Sequence, residues 1–428
     1  MAITGRTALV AAVAALTAPL GAAWLLAICA ALLIAVVVDV ALAARVGDLQ
    51  ATRPATATLR LGEQTDIELM LVNAGRRRAR GLVRDAWLPS AGASPRAHRV
   101  DVPPGERRRL VTTLRPTRRG DRTAAHVTIR TLGPLGLAGR QRRRSVPGMI
   151  RVLPPFTSRK FLPEKLARLR QLDGSVMLNR RGQGTEFDSL REYVDGDDVR
   201  SIDWRATARR ADVVVRTWRP ERDRRLVCVL DTGRTSAARV GDIPRLDAAL
   251  DACLLLAAVA AKAGDRVDLL AADSVVRASV EGASRNEVLP RLVQATALLE
   301  PALVESDAQL VVTEVLRRER KRALVVLFTA LDPAPIEHGL LPVLNGLTSR
   351  HTVVLAAVGD PRVAELAGRR GDVEAVYEAA SAERTLADRR RITAQLRQRG
   401  VTVIDEPADL FASRVADVYL SLKAAGQL

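Results

Sequence analysis

The densest mixture of reactive side chains lies at residues 182–209, GQGTEFDSLREYVDGDDVRSIDWRATAR. Carboxylates and guanidiniums alternate there with Phe187, Tyr193 and Trp204. Two chemistries suit such a mixture: cation binding by the acids, or recognition of another polypeptide by paired charges and rings. Asp195-Gly196-Asp197-Asp198 lacks the D-x-D-x-D-G spacing and closing Glu of a calcium loop. The charges suit one another better. Arg200, Arg205 and Arg209 are spaced to pair with Asp197, Asp203 and Glu192 and to stack on Trp204. One reading is a network that pins an irregular segment onto the following domain. The other is a docking surface, and both stand.

Other chemistry finds little support. His98, His126, His338 and His351 share no spacing, and no Ser/His/Asp order has a supporting motif. Cys29, Cys228 and Cys253 are scattered through apolar stretches, which implies buried structural thiols and no disulfide framework. The expectation is a binding protein without a cofactor rather than an enzyme.

The elements that position these residues divide the chain into four parts. From Ala8 to Ala44 the only charged residue is Asp39. A span needs about 20 apolar residues, so this run is too long for one ordinary helix. Thr17-Ala18-Pro19-Leu20-Gly21 breaks it, giving a transmembrane helical hairpin over residues 1–47. The competing signal peptide followed by one span is disfavoured, because no polar break follows a cleavage point. Asp39 is expected to snorkel or to pair with Arg45. Arg6 and Arg45 flank the run, so the positive-inside rule puts both ends in the cytoplasm, at the inner or plasma membrane.

Residues 51–170 carry 27 Lys and Arg against 8 Asp and Glu, while the whole chain is +18. The excess charge therefore belongs to the middle of the chain. Nucleic acid, the anionic headgroups of membrane lipid and acidic proteins all attract such a surface. An alternative role is therefore a membrane-surface protein whose basic middle domain binds anionic lipid or nucleic acid. Aromatic content of 3% is poor for base stacking, and no specific nucleic acid is expected. Residues 48–155 read as short strands, among them 57–61, 65–73, 81–88, 109–114 and 124–131, separated by turn residues. A small β-sandwich of immunoglobulin type follows. Residues 156–225 read as a charged linker containing the 182–209 block.

From 226 to 428 strands and helices alternate. Leu226–Leu230 is a continuous apolar run, as a buried parallel strand should be. Further strands are expected at 267–272, 275–280, 323–329, 352–358 and 401–404. Helices are expected at 243–264, 286–299, 307–320, 382–399 and 408–424. This is a doubly wound α/β domain. No Gly-rich phosphate loop follows its first strand.

The 182–209 block resembles the signature of the bacterial domain-of-unknown-function fifty-eight family, G-x-G-x-E-F-x-x-L-R-x-Y-x-x-G-D-x-x-R-x-I-D-W-x-A-[TS]-A-R. The residues that carry it include Gly184, Glu186, Phe187, Arg191, Tyr193, Gly196, Asp197, Arg200, Asp203, Trp204 and Arg209, with Arg205 at a variable position. Gly133-Pro134-Leu135-Gly136-Leu137 and Leu230-Asp231-Thr232-Gly233-Arg234 are further points of likeness. The resemblance implies partnership with a MoxR-type AAA+ ATPase in a chaperone-like or maturation system.

The order of C-terminal elements is similar to a von Willebrand factor A domain. That likeness implies a divalent-metal site at the strand ends, built from D-x-S-x-S, a later Thr and a later Asp. Asp231, Thr235, Ser306 and Asp332 take the corresponding places. Gly233 replaces one Ser, and Ala330 falls where the second carboxylate is expected. The expectation is a degenerate rim, with Mg²⁺ the only candidate ion. Capping of backbone N–H groups is the bland role for Asp231 and Thr235.

Overall fold

The computed structural model describes residues 2–16, 21–53, 57–179, 186–195, 197–209, 212–219, 224–282, 284 and 286–428. The chain divides into two compact units, Met1–Leu153 and Pro154–Leu428.

The first unit opens with β1 (Ala2–Ile3), α1 (Gly5–Ala15) and α2 (Ala22–Leu42). At about 1.5 Å per residue, α2 is about 31 Å long and α1 about half that. Among the described residues, only α2 is long and apolar enough to cross a bilayer. The expected break at 17–21 falls mostly outside the described residues.

Strands β2 (Leu49–Thr52), β3 (Ala57–Arg60), β4 (Thr65–Asn73), β5 (Ala79–Trp87), β6 (Ala93–Ser94), β7 (His98–Val102), β8 (Arg107–Leu114), β9 (Gly120–Leu132) and β10 (Ala138–Leu153) follow. One sheet runs β1-β10-β9-β5-β7, with β3 joining β10 in parallel; the other runs β2-β4-β8-β6. Period-two alternation decides the packing: in β4, Ile67, Leu69 and Leu71 are buried while their neighbours are more open. Leu69, Leu71 and Leu110 of the second sheet share a core with Val83, Val127 and Ile129 of the first. Each such side chain, fully buried, stabilises the fold by about 1.5–3 kcal/mol.

Asp39 departs from expectation. It neither snorkels nor pairs with Arg45: it is fully buried, and its carboxylate accepts hydrogen bonds from the N–H groups of Leu135, Leu137 and Ala138, all at 2.8 Å. These belong to the turn between β9 and β10. Gly133 makes the approach possible, because a Cβ there would lie 2.1 Å from Asp39 Oδ1. An apolar helix carries this carboxylate because three donors in the turn need an acceptor away from water.

The second unit begins with α3 (Leu162–Asn179), then β11 (Glu186–Glu192), α4 (Trp204–Thr207) and β12 (Val214–Arg219). Residues 156–225 are thus not simply a linker. The ammonium of Lys165 on α3 is buried against Asp417 at 2.9 Å. Then come β13 (Arg225–Asp231), β14 (Arg239–Val240), β15 (Ile243–Pro244), α5 (Arg245–Lys262), β16 (Arg266–Ala272), β17 (Val276–Val280), α6 (Val288–Ala297), α7 (Ala308–Arg318), β18 (Leu324–Phe328), α8 (Leu341–Thr348), β19 (Thr352–Gly359), α9 (Pro361–Ala367), α10 (Val373–Gln398), β20 (Thr402–Pro407) and α11 (Ala408–Ala424).

The main sheet is mixed, ordered β17-β16-β13-β18-β19-β20, with only β17 antiparallel. Alternate strand residues Val227, Val229, Val325, Leu327, Val353 and Leu355 share a core with Val312, Leu344 and Ile392 of α7, α8 and α10. The intervening strand residues face the other way, where α5 and α11 pack on the sheet and on each other. Cys228 and Cys253 are buried as expected, while Cys29 is exposed on α2.

Candidate functional site

The chain leaves β13 and crosses first to β16, then returns to β18 on the other side. The carboxyl ends of β13 and β18 therefore flank the point where the winding reverses, the place where open α/β sheets leave a crevice. Asp231 ends β13 there. Its Oδ1 accepts from Gly233 N at 2.8 Å and from the Ser306 hydroxyl; its Oδ2 accepts from Thr329 Oγ1 at 2.7 Å and Thr235 Oγ1 at 3.2 Å. Three of the four expected rim residues thus converge.

Asp332 does not join them. Its Oδ2 lies 3.5 Å from Arg245 Nη1, whose guanidinium also faces the carbonyl of Thr235. Thr329 takes the vacated place. The Leu230–Phe328 register of the parallel pair brings it opposite Asp231, and no local motif announces it.

Gly233 is required by packing. A Cβ at that position would meet Ser306 Oγ at 2.0 Å and Val304 O at 3.0 Å. The backbone binds the same two segments together: Arg234 N donates to Val304 O at 2.8 Å and Ala302 N to Thr232 O at 2.7 Å. Behind this rim lies another carboxylate, Asp273, which unlike Asp231 is fully buried. It accepts from Thr232 Oγ1 at 2.9 Å and Arg277 Nε at 2.7 Å. Burial opposes its ionisation, but Arg277, Thr232 and Val275 N–H together hold its pKa below the usual carboxylate range.

A carboxylate offers about four acceptor positions, and four donors occupy those of Asp231. The remaining rim oxygens are neutral hydroxyls, and among the described residues no three His, Cys, Asp or Glu side chains form a metal-binding group. This donor set does not fit a resident divalent ion, which takes six or more oxygens with several charged among them.

Below the rim, on the same face of the strands, lie Val229 and Leu327. With Val311, Ile336 and Leu340 they line a small pocket whose upper wall is Asp231, Thr235, Ser306 and Thr329. Arg234 and Glu305, paired at 2.5 Å and both exposed, stand at the mouth.

The described residues of the 182–209 block join the strand that follows them. β11 and β12 pair as an antiparallel hairpin, and Tyr193 N donates to Val213 O at 2.8 Å. The ion pairs differ from those expected. Asp197 is bound by Arg191 at 2.6 Å and Asp203 by Arg216 at 2.8 Å, instead of by Arg200, Arg205 and Arg209. Asp203 also caps α4, accepting from the N–H groups of Arg205 and Ala206 at 3.0 Å. Arg216 and these N–H groups hold its carboxyl below the usual range. The Trp204 side chain is 68% exposed, so it is not covered by an arginine stack. Gly184 and Gly196 lie outside the described residues, and Glu186 and Phe187 are placed on β11 by backbone only.

The profile of the family described as "Protein of unknown function DUF58" matches residues 189–402. Uncharacterized proteins of Mycobacterium bovis and Mycobacterium tuberculosis are 29% identical over 188 residues, covering 43% of this chain and 58% of theirs. The chain thus spans little more than half the length of these relatives. Among solved structures, the CARDB domain of a Pyrococcus furiosus protein in complex with di-metal ions is 15% identical, covers 24% of this chain and 92% of its own, and has a TM-score of 0.19. The YadV chaperone is also 15% identical, covers 24% of this chain and 52% of its own, and has a TM-score of 0.18. At such scores neither likeness carries an argument.

Proposed function

From the premise that the chain belongs to the DUF58 family of proteins of unknown function, we propose that it is a membrane-anchored adaptor. In this reading a von Willebrand A-like domain grips a protein partner at the carboxyl rim of its sheet and performs no chemistry. The partner is a MoxR-type AAA+ ATPase, in a chaperone-like or maturation system. The observation that carries the reading is the self-satisfied rim over an apolar pocket. The Asp231 carboxylate is fully engaged by its neighbours, so it is a clamp that shapes a surface rather than a poised base or metal ligand. Exposed Val373, Val376 and Tyr377 support it. They lie in the first turns of α10, which follows β19 and α9 and leads back to the start of β20, so they fall toward the carboxyl side of the sheet.

The anchor is α1 and α2 as a hairpin, with the soluble units in the cytoplasm. A second role, contact with anionic lipid, has its own support. Arg140 Nε donates to Val40 O at 3.1 Å and Arg77 donates to Ala41 O, at the carboxyl end of α2. Guanidiniums thus stand where the apolar helix ends, at headgroup level.

The test is retention of the MoxR-type ATPase on the detergent-solubilised full chain in ATP and Mg²⁺. Retention that is lost on Leu303→Glu is expected, because Leu303 is 80% exposed beside the Asp231 rim. No retention, or retention indifferent to that change, contradicts the proposal.

A further inference from the structure

The rim has a chemical bias. Each hydroxyl of Thr235, Ser306 and Thr329 directs its proton to Asp231, so each is left with lone pairs to offer. The ionisable side chains of the lining are Asp231, Glu305 and Arg234, a formal charge of −1. The exposed Arg234–Glu305 pair cancels at the mouth, so the Asp231 carboxylate, hydrogen-bonded by neutral donors, keeps its negative charge without a cation among the lining residues. Val229 and Leu327 lie two residues below Asp231 and Thr329 along their strands, about 7 Å deeper. A ligand matched to this order has an apolar end that goes in first and a cationic donor that stops at the hydroxyls.

We infer that the pocket binds the free amino terminus of a polypeptide whose first residue is apolar. The side chain fills the throat between Val229, Leu327 and Ile336. The α-ammonium donates to the hydroxyl oxygens and is held by the charge of Asp231 behind them. A lysine suits the pocket less well, because its charge would arrive first, at the apolar floor. An acidic group meets no free donor at the hydroxyls. This inference rests on the reading that the rim is the partner surface, and it names what that surface takes.

The probe is L-leucinamide, which carries the α-ammonium and the side chain without a carboxylate. Ligand-observed saturation-transfer NMR on the full chain in detergent should detect binding at pH 7. N-acetyl-L-leucinamide, lacking the charge, should bind about tenfold more weakly or worse. Binding should fall as pH rises from 7 to 9, because an α-amino group deprotonates near pH 8. Thr329→Val, close in shape, should weaken leucinamide and leave the acetylated probe unchanged. Ser306→Ala provides the same comparison should the valine variant fail to fold. Equal binding of the two probes, no change between pH 7 and 9, or no binding at all overturns the inference. Those outcomes leave retention of the ATPase untouched, so failure of the pocket inference and failure of the adaptor reading are read separately.

Discussion

Ser306 donates its hydroxyl proton to Asp231 across 75 residues of sequence, and the contact exists only because residue 233 is glycine. The loop before α7 is thereby closed onto the end of β13. The serine that a von Willebrand A-type motif would have at 233 would displace the Ser306 hydroxyl from this contact.

Restoring that serine should therefore damage the fold. Gly233→Ser puts a Cβ 2.0 Å from Ser306 Oγ, and overpacking of this kind costs about 1–3 kcal/mol. Urea unfolding of the variant should show a lower midpoint. Combining Gly233→Ala with Ser306→Ala should cost less than the sum of the two single changes, since the clashing atom is gone. Strict additivity would show that the contact is not what fixes residue 233.

Three of the four residues of this rim are legible in the sequence. Asp231, Thr235 and Ser306 are recognisable through the likeness to the von Willebrand A motif, whose first acid follows the apolar run Leu226–Leu230. Thr329 is not, because its role depends on which strand lies beside β13. Asp332 is misread for a related reason: Arg245, 87 residues away in sequence, turns it aside. Helix α3 escapes notice because its composition is mixed, and the burial of Leu169 and the pairing of Lys165 with Asp417 that dock it are set by residues far off in the chain. α10 begins at Val373, earlier than the expected 382, because Asp372 caps it by accepting from Ala375 N at 2.7 Å.

Asp39 gives the first unit its own test. Asp39→Leu makes α2 more apolar, yet leaves the N–H groups of Leu135, Leu137 and Ala138 without their acceptor. At about 1–3 kcal/mol for each buried group left unmade, the β9–β10 turn should open. Limited proteolysis in detergent should then cut near residues 133–138 much faster than in the parent chain. An unchanged rate contradicts this account of the turn.

A buried cluster at the other edge of the second unit predicts strong coupling. Lys423 Nζ lies 2.7 Å from Asp265 Oδ1, and Tyr419 Oη donates to Asp265 Oδ2 at 2.6 Å. Asp265→Leu should cost about 3–5 kcal/mol, because the Lys423 ammonium is left buried without its carboxylate. Adding Lys423→Met should recover much of that loss in thermal unfolding. A double variant no more stable than the single one would refute the coupling.

Stability should also decline in mild acid. His351 is buried with both ring nitrogens unpartnered among the described residues, and burial lowers its pKa from the ordinary value of 6.5. Burial lowers His98 as well, against the opposing charge of Asp85. A histidine with a depressed folded pKa takes up its proton first in the unfolded chain. Stability should therefore be level above about pH 6.5 and fall as pH drops from there toward the folded pKa values. His351→Leu should flatten part of that slope in a thermal scan between pH 5 and 7. An unaltered slope would assign it to other groups.

The most direct test of the central claim is site-specific photo-cross-linking in intact cells. One probe replaces Leu303, at the carboxyl rim; the control replaces Gln398, which precedes β20 at the amino edge. The account predicts a covalent adduct with the MoxR-type ATPase from position 303 and none from 398. Equal adducts from both positions, or none from 303 while the chain remains folded in the membrane, would contradict it.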